Sequence, residues 1–137
     1  MPTTTIETTV ADPRFRRRIA KELSFWWRRQ GTDINHVITR FVPLPGETVY
    51  SGPFPLDGPP GAPTRPDALV AGVLAAGRGP QFRRAYAFAV RAALGPEVPP
   101  DRVFVSFQPT DPADHFTPGS PAWDGGPEAV TAEEAHR

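Results

Sequence analysis

Pro13-Arg14-Phe15-Arg16-Arg17 returns 67 residues further on as Pro80-Gln81-Phe82-Arg83-Arg84, and this near-copy decides the fold. Val37, Phe41, Pro43 and Tyr50 likewise align with Val103, Phe107, Pro109 and Phe116 at an offset of 66. One residue of slippage in a loop accounts for the change, so the chain reads as an internal repeat. Ahead of the first copy, the run from Thr3 to Val10 is rich in β-branched residues and suits a strand, with Asp12-Pro13 opening a helix as N-cap and first residue. Phe15, Ile19, Leu23 and Trp27 recur at helical spacing until Gln30-Gly31, and His36 to Val42 alternates as a second strand. The second copy repeats this grammar. Ala68 to Ala75 reads as a buried strand, Gly79-Pro80 opens a helix with Phe82, Tyr86, Val90 and Leu94 on one stripe, and Val103 to Phe107 is the closing strand.

The expected architecture is therefore α+β: a duplicated β-α-β unit whose four strands form one sheet with both helices on one face. Residues 2–119 form the domain, as repeats 2–52 and 67–119 joined by a connector, with 120–137 as a tail. The connector, residues 53–66, is rich in proline and glycine and is expected to have no regular structure. With Val37, Thr39, Phe41, Val103, Val105 and Phe107 turned to the helices, the opposite face shows Ile38, Arg40, Phe104, Ser106 and Gln108. That mixture suits burial against further subunits, and a homotrimer is expected.

Composition narrows the function. Across 137 residues, 15 basic and 15 acidic side chains cancel, so no global field would hold the chain on nucleic acid or an anionic membrane. The absence of cysteine removes thiol nucleophiles and thiolate metal sites. Apolar stretches such as Ala68 to Ala76 are far shorter than the roughly 20 residues of a membrane span. No apolar signal run opens the sequence, and a cytoplasmic protein is expected. His36, His115 and His136 are scattered without metal-ligand spacing, so neither a metal nor a cofactor is expected. Lys21 is the only lysine among the basic residues, a compositional bias that makes arginine number poor evidence for anion binding. The arginines from Arg14 to Arg18, and the pair Arg28-Arg29, read as solvated helix faces.

A strand starting directly after Met1-Pro2, the duplicated unit, and Pro99-Pro100-Asp101-Arg102-Val103-Phe104-Val105-Ser106-Phe107 together resemble the tautomerase superfamily. The closing segment is similar to the migration-inhibitory-factor branch, and Gly72 to Arg78 to the cis-3-chloroacrylic acid dehalogenase branch. The resemblance covers about residues 2–119 and implies a trimer of β-α-β repeats. It also implies catalysis by Pro2, freed by loss of the initiator methionine, on small 2-oxo or unsaturated carboxylic acids. Arg78 falls in the loop where the superfamily binds substrate carboxylate, and His36 lies near a second binding position. Phe104, Tyr50 and Ser106 are the further binding candidates, with Trp123 another possible aromatic wall.

Elementary chemistry supports the same assignments. A secondary amine fixed at a strand start, kept neutral by burial and a nearby guanidinium, accepts and returns a proton, or forms an iminium with a carbonyl. A guanidinium offers a fork to a carboxylate. The departures from the resembled pattern are also informative. The first loop arginine of the dehalogenases falls on Ala75, their water-activating glutamate near Thr117 or Pro118, their last-strand tyrosine on Ser106 and their helix histidine on Trp26. The lysine of the migration factor falls near Thr32, and the aspartate of malonate semialdehyde decarboxylase near Asn35. Proton transfer or iminium chemistry thus fits better than addition of water, with a decarboxylase or hydratase type as an alternative. Two further readings stand beside it: a non-catalytic trimeric scaffold, and an RNA-binding module of βαββαβ order. The latter is weakened because Phe104 to Phe107 follows the second helix instead of preceding it.

Overall fold

The structure is a computed structural model that describes residues 2–57 and 66–127; Met1, residues 58–65 and residues 128–137, including His136, lie outside the described residues. Strand β1 (Thr3–Thr8) alternates cleanly, with Thr4, Ile6 and Thr8 buried. The Asp12 side chain accepts from the Arg14 N–H at 2.9 Å and caps helix α1 (Pro13–Arg29), whose stripe of Phe15, Ile19, Leu23 and Trp27 is buried. Strand β2 (Ile38–Pro43) runs parallel to β1, Thr3 pairing with Ile38. After a small hairpin, β3 (Tyr50–Ser51) and β4 (Phe54–Pro55), the second unit repeats the first. It comprises β5 (Ala68–Ala75), α2 (Pro80–Leu94) and β6 (Val103–Thr110), with β5 and β6 parallel.

The main sheet has the order β2-β1-β5-β6, and its central pair, β1 and β5, is antiparallel. The two units therefore meet head to tail, so the amino-terminal end of β1 lies beside the carboxyl-terminal end of β5. Among the described residues, no helix is long and apolar enough to cross a membrane.

Between sheet and helices, Ile6, Val70 and Leu74 pack against the α1 stripe and against Tyr86, Val90, Ala93 and Leu94 of α2. Trp26, Trp27, Phe82 and Tyr86 form an aromatic cluster at the helix ends, the Tyr86 ring centroid 4.9 Å from that of Trp26 and 5.0 Å from that of Trp27. Edge and tilted contacts of this kind add to the area the rings bury. The Tyr86 hydroxyl pairs with Thr4 Oγ1 at 2.5 Å, which satisfies both polar groups inside the core. Gly72 is where the sheet demands a glycine, since a Cβ there would lie 2.7 Å from the Phe107 ring on β6. Gly72→Val should destabilise the fold by about 1–3 kcal/mol through overpacking, read as a lower denaturant midpoint at fixed protein concentration.

Three sequence expectations are corrected. His36 does not begin β2; it closes a 3-10 turn, Ile34–His36, capped by the Asp33 side chain accepting from the Asn35 N–H. A capped turn satisfies local backbone groups that the alternating pattern ignores. The connector is not wholly irregular, because Phe54–Pro55 pairs with Tyr50–Ser51 across Gly52-Pro53. Gly52, at φ 59°, supplies the positive φ that a two-residue hairpin turn needs. Arg18, finally, is partly exposed but not a free surface charge. Its guanidinium donates to the Ala93 and Gly95 carbonyls and to both Glu97 oxygens, clasping the end of α2. The Arg18 hydrogen bond, the largest cause, holds the Glu97 carboxyl below its usual range. Its contribution is present above the ordinary glutamate pKa and fades as pH falls through the lowered folded value. Glu97→Gln should therefore flatten the acid limb of a stability-against-pH curve slightly.

Among the described residues, no helix covers the second face of the sheet. Its cross-strand rows read Ile38-Thr3-Val73-Gln108, Arg40-Thr5-Ala71-Ser106 and Val42-Glu7-Leu69-Phe104. Ile38, Arg40, Phe104 and Ser106 on it are exposed.

Candidate active site at the start of β1

Pro2 is buried, and its carbonyl accepts from the Ile38 N–H at 3.0 Å, which fixes it against β2. The head-to-tail meeting of the units brings Ala75, at the end of β5, and the following loop to the same edge. Helix α1 returns to that edge with Trp27, and the turn after it, closed by the Thr32 N–H donating to the Trp27 carbonyl at 3.1 Å, supplies Thr32. A cavity of about 140 Å³ results, lined by Pro2, Trp27, Thr32, His36, Ala75 and Arg78.

Arg78 is held by its backbone. Its N–H donates to the Ala75 carbonyl at 3.0 Å and its carbonyl accepts from Arg83 Nη1 at 2.7 Å. The guanidinium lies over the Phe82 ring at 4.5 Å and near the Trp27 ring at 5.7 Å. Stacking on aromatic faces orients the fork without consuming its donors. Among the described residues, no carboxylate forms an ion pair with Arg78, and none lines the cavity. The cavity thus offers Pro2, a guanidinium and an imidazole, and its guanidinium is complementary to an anion.

Below this floor, burial pushes the Tyr86 phenol above its usual range, opposed by Thr4 and Trp27. Among the described residues, the buried Trp27 Nε1 and Thr39 Oγ1 have no partner at hydrogen-bond geometry.

Of the residues singled out from the sequence, the chain brings together Pro2, Arg78 and His36. Phe104 and Ser106 border a different hollow, about 460 Å³, on the bare sheet face with Glu7, Leu69 and Ala71. Phe104 pairs with Leu69, six residues from Ala75 along β5, or about 20 Å at the strand rise. Tyr50, 60% exposed, lies on the hairpin, and Trp123 packs on Phe116. The aromatic wall inside one chain is Trp27, a member of the buried helical stripe. A larger hollow, about 710 Å³, is an open groove between α1 and α2 bordered by Lys21, Phe25, Trp26 and Arg29, and Pro2 does not line it.

No model of a known protein family matches the chain, and no curated protein does. Solved structures do match. Native fused 4-OT superposes with a TM-score of 0.70 at 19% identity, covering 98% of this chain and 99% of that one. The chain has the tautomerase fold. Two other solved structures agree with it. Macrophage migration inhibitory factor of Toxoplasma gondii gives a TM-score of 0.61 at 17% identity over 84% of this chain and 95% of its own. FG41 malonate semialdehyde decarboxylase, inhibited by 3-bromopropiolate, gives 0.62 at 16% identity over 96% and 99%. Fused 4-OT has also been solved as a symmetric trimer, TM-score 0.65 at 19% identity over 98% of this chain and 99% of that one. At these identities the tautomerase fold is what the chain shares, and its chemistry rests on its own residues.

Proposed function

We propose that the protein is a tautomerase-type enzyme in which the Pro2 amine, freed by removal of Met1, moves a proton on a small 2-oxo or enol carboxylic acid. The observation that carries this reading is the single cavity that holds Pro2, Arg78 and His36 without a carboxylate. Arg78 binds the substrate carboxylate through its fork. His36 donates a hydrogen bond to the 2-oxo or enol oxygen. The Pro2 nitrogen takes the enol O–H proton as the C=O bond forms, and the resulting prolinium returns a proton to C3 as the C=C pair is consumed. Addition of water asks for a group to activate it, and the lining offers no carboxylate for that task.

A single charge-assisted bidentate contact is typically worth about 1.5–3 kcal/mol. Arg78→Ala should therefore raise KM, or lower kcat/KM, by about one to two orders of magnitude on phenylenolpyruvate, with Arg78→Lys recovering only part because the fork is lost. Wild-type kinetics in both variants would remove Arg78 from the site.

The assembly belongs to the same reading. The bare face carrying Ile38, Arg40, Ser106 and Phe104 suits burial between subunits. As a homotrimer, the protein presents Phe104 and Ser106 to a neighbour's cavity instead of its own, and Tyr50 is the third candidate for such a contribution. Sedimentation should give a trimer at micromolar concentration, and Arg40→Glu should weaken it more than Arg28→Glu. A stable monomer contradicts the proposal.

A further inference from the structure

Helix α2 holds the Pro2 cavity from two sides. In its first turn, Arg83 Nη1 donates to the Arg78 carbonyl at 2.7 Å, and the Arg78 guanidinium rests 4.5 Å from the Phe82 ring centroid. Tyr86, one turn further on, reaches the sheet, where its hydroxyl pairs with Thr4 Oγ1 at 2.5 Å. Thr4 follows Pro2 by two residues and both are buried, so the alternation of the strand puts them on the side that faces the helices.

This bond differs in kind from the packing around it. Ile6, Val70 and Leu74 meet the helices through apolar contacts, which favour burial without fixing direction. Among the described residues, Thr4 and Tyr86 form the one side-chain hydrogen bond between the main sheet and a helix. Tyr86 is 0% and Thr4 1% exposed, so solvent does not compete for either hydroxyl. A phenylalanine facing a valine would fill the same space at little cost in stability. What the hydroxyl pair adds is direction.

We infer that Tyr86 is a positioning residue: through Thr4 it fixes the start of β1 against α2 and thereby sets where the Pro2 ring stands relative to Arg78. Arg83 and Tyr86, neighbours on one helix, hold the loop of the guanidinium and the strand of the amine at a set separation. Tyr86 does not line the cavity and acts only through Thr4. The inference rests on the reading of Pro2 and Arg78 as the reacting and binding groups.

The test uses Tyr86→Phe, Thr4→Val and the double variant. Val90→Ala is the control, since Val90 is buried on the same helix and its truncation opens a cavity without touching the hydroxyls. Three quantities are read at one protein concentration: the denaturant midpoint, exchange of the C3 hydrogens of phenylpyruvate in deuterium oxide, and hydrogen exchange of the Ile38 amide, which donates to the Pro2 carbonyl. Each single variant strands one buried hydroxyl and should lower the midpoint. It should also lower kcat by about ten- to a hundredfold, the scale set by a small misplacement of a reacting group. KM should stay nearly unchanged, because the carboxylate contact belongs to Arg78. The double variant strands no hydroxyl, so its midpoint should return towards that of the wild type while kcat stays low and the Ile38 amide exchanges faster than in the wild type. Thr4→Ser, which keeps the oxygen, should recover most of kcat, and Val90→Ala should lose stability with kcat unchanged. Recovery of kcat together with the midpoint in the double variant, or an Ile38 amide as protected there as in the wild type, overturns the positioning role. A wild type that exchanges no C3 hydrogen, with the Ile38 amide still loosened in the double variant, leaves the tie between α2 and β1 standing and instead sinks the catalytic role of Pro2.

Discussion

Pro2→Ala should lower enol–keto proton transfer on phenylenolpyruvate about 10²–10⁴-fold, the usual contribution of one positioned general base. The backbone argues for a loss of that size. In the wild type the nitrogen belongs to a ring fixed at the start of β1, with the residue's carbonyl tied to Ile38 at 3.0 Å and the residue itself buried. Alanine in its place leaves a primary amine after methionine removal, free to rotate and differently basic. KM should move far less than kcat, because the carboxylate contact belongs to Arg78. A fall in KM-dependent binding with kcat preserved would point to Pro2 as a packing residue only.

Trp27→Ala carries the second large effect, this time on stability. Trp27 is 2% exposed, and its ring centroid lies 5.3 Å from that of Trp26, 5.4 Å from Phe82 and 5.0 Å from Tyr86. Truncating a buried aromatic of this kind costs about 3–5 kcal/mol through lost transfer energy and the cavity left behind. The same ring borders the Pro2 cavity and lies below the Arg78 guanidinium. The variant should therefore show a large drop in denaturant midpoint and, in the fraction that folds, weaker binding of the acid. Trp27→Phe should recover most of the stability. The measurements need one protein concentration, because assembly stabilises by mass action.

The elements came through the sequence because their periods report burial. Phe15, Ile19, Leu23 and Trp27 are all buried where the four-residue spacing put them, and β5 runs from Ala68 to Ala75 as read. The duplication also carried the bare sheet face, since alternation assigns Ile38, Arg40, Phe104 and Ser106 to the side away from the helices. Periodicity does not say which residue meets which. Trp27 is both core and cavity wall because it sits at the end of its stripe, and only the head-to-tail meeting of the units makes that end face Pro2. Arg18 looked like its arginine neighbours until α2 placed Glu97 and two free carbonyls beside it. Gly52-Pro53 was legible as a break in the chain, yet a break and a hairpin turn use the same residues.

The central claim is that the Pro2 nitrogen is a free amine that exchanges protons with a bound 2-oxo acid. Incubation with phenylpyruvate and cyanoborohydride, followed by tandem mass spectrometry of the amino-terminal peptide, tests it most directly when C3 hydrogen exchange is read in the same sample. The account predicts a chain beginning at Pro2, one reduced adduct on that nitrogen, and exchange lost in proportion to its capture. A chain beginning at Pro2 that catalyses no exchange and carries no adduct there would contradict it.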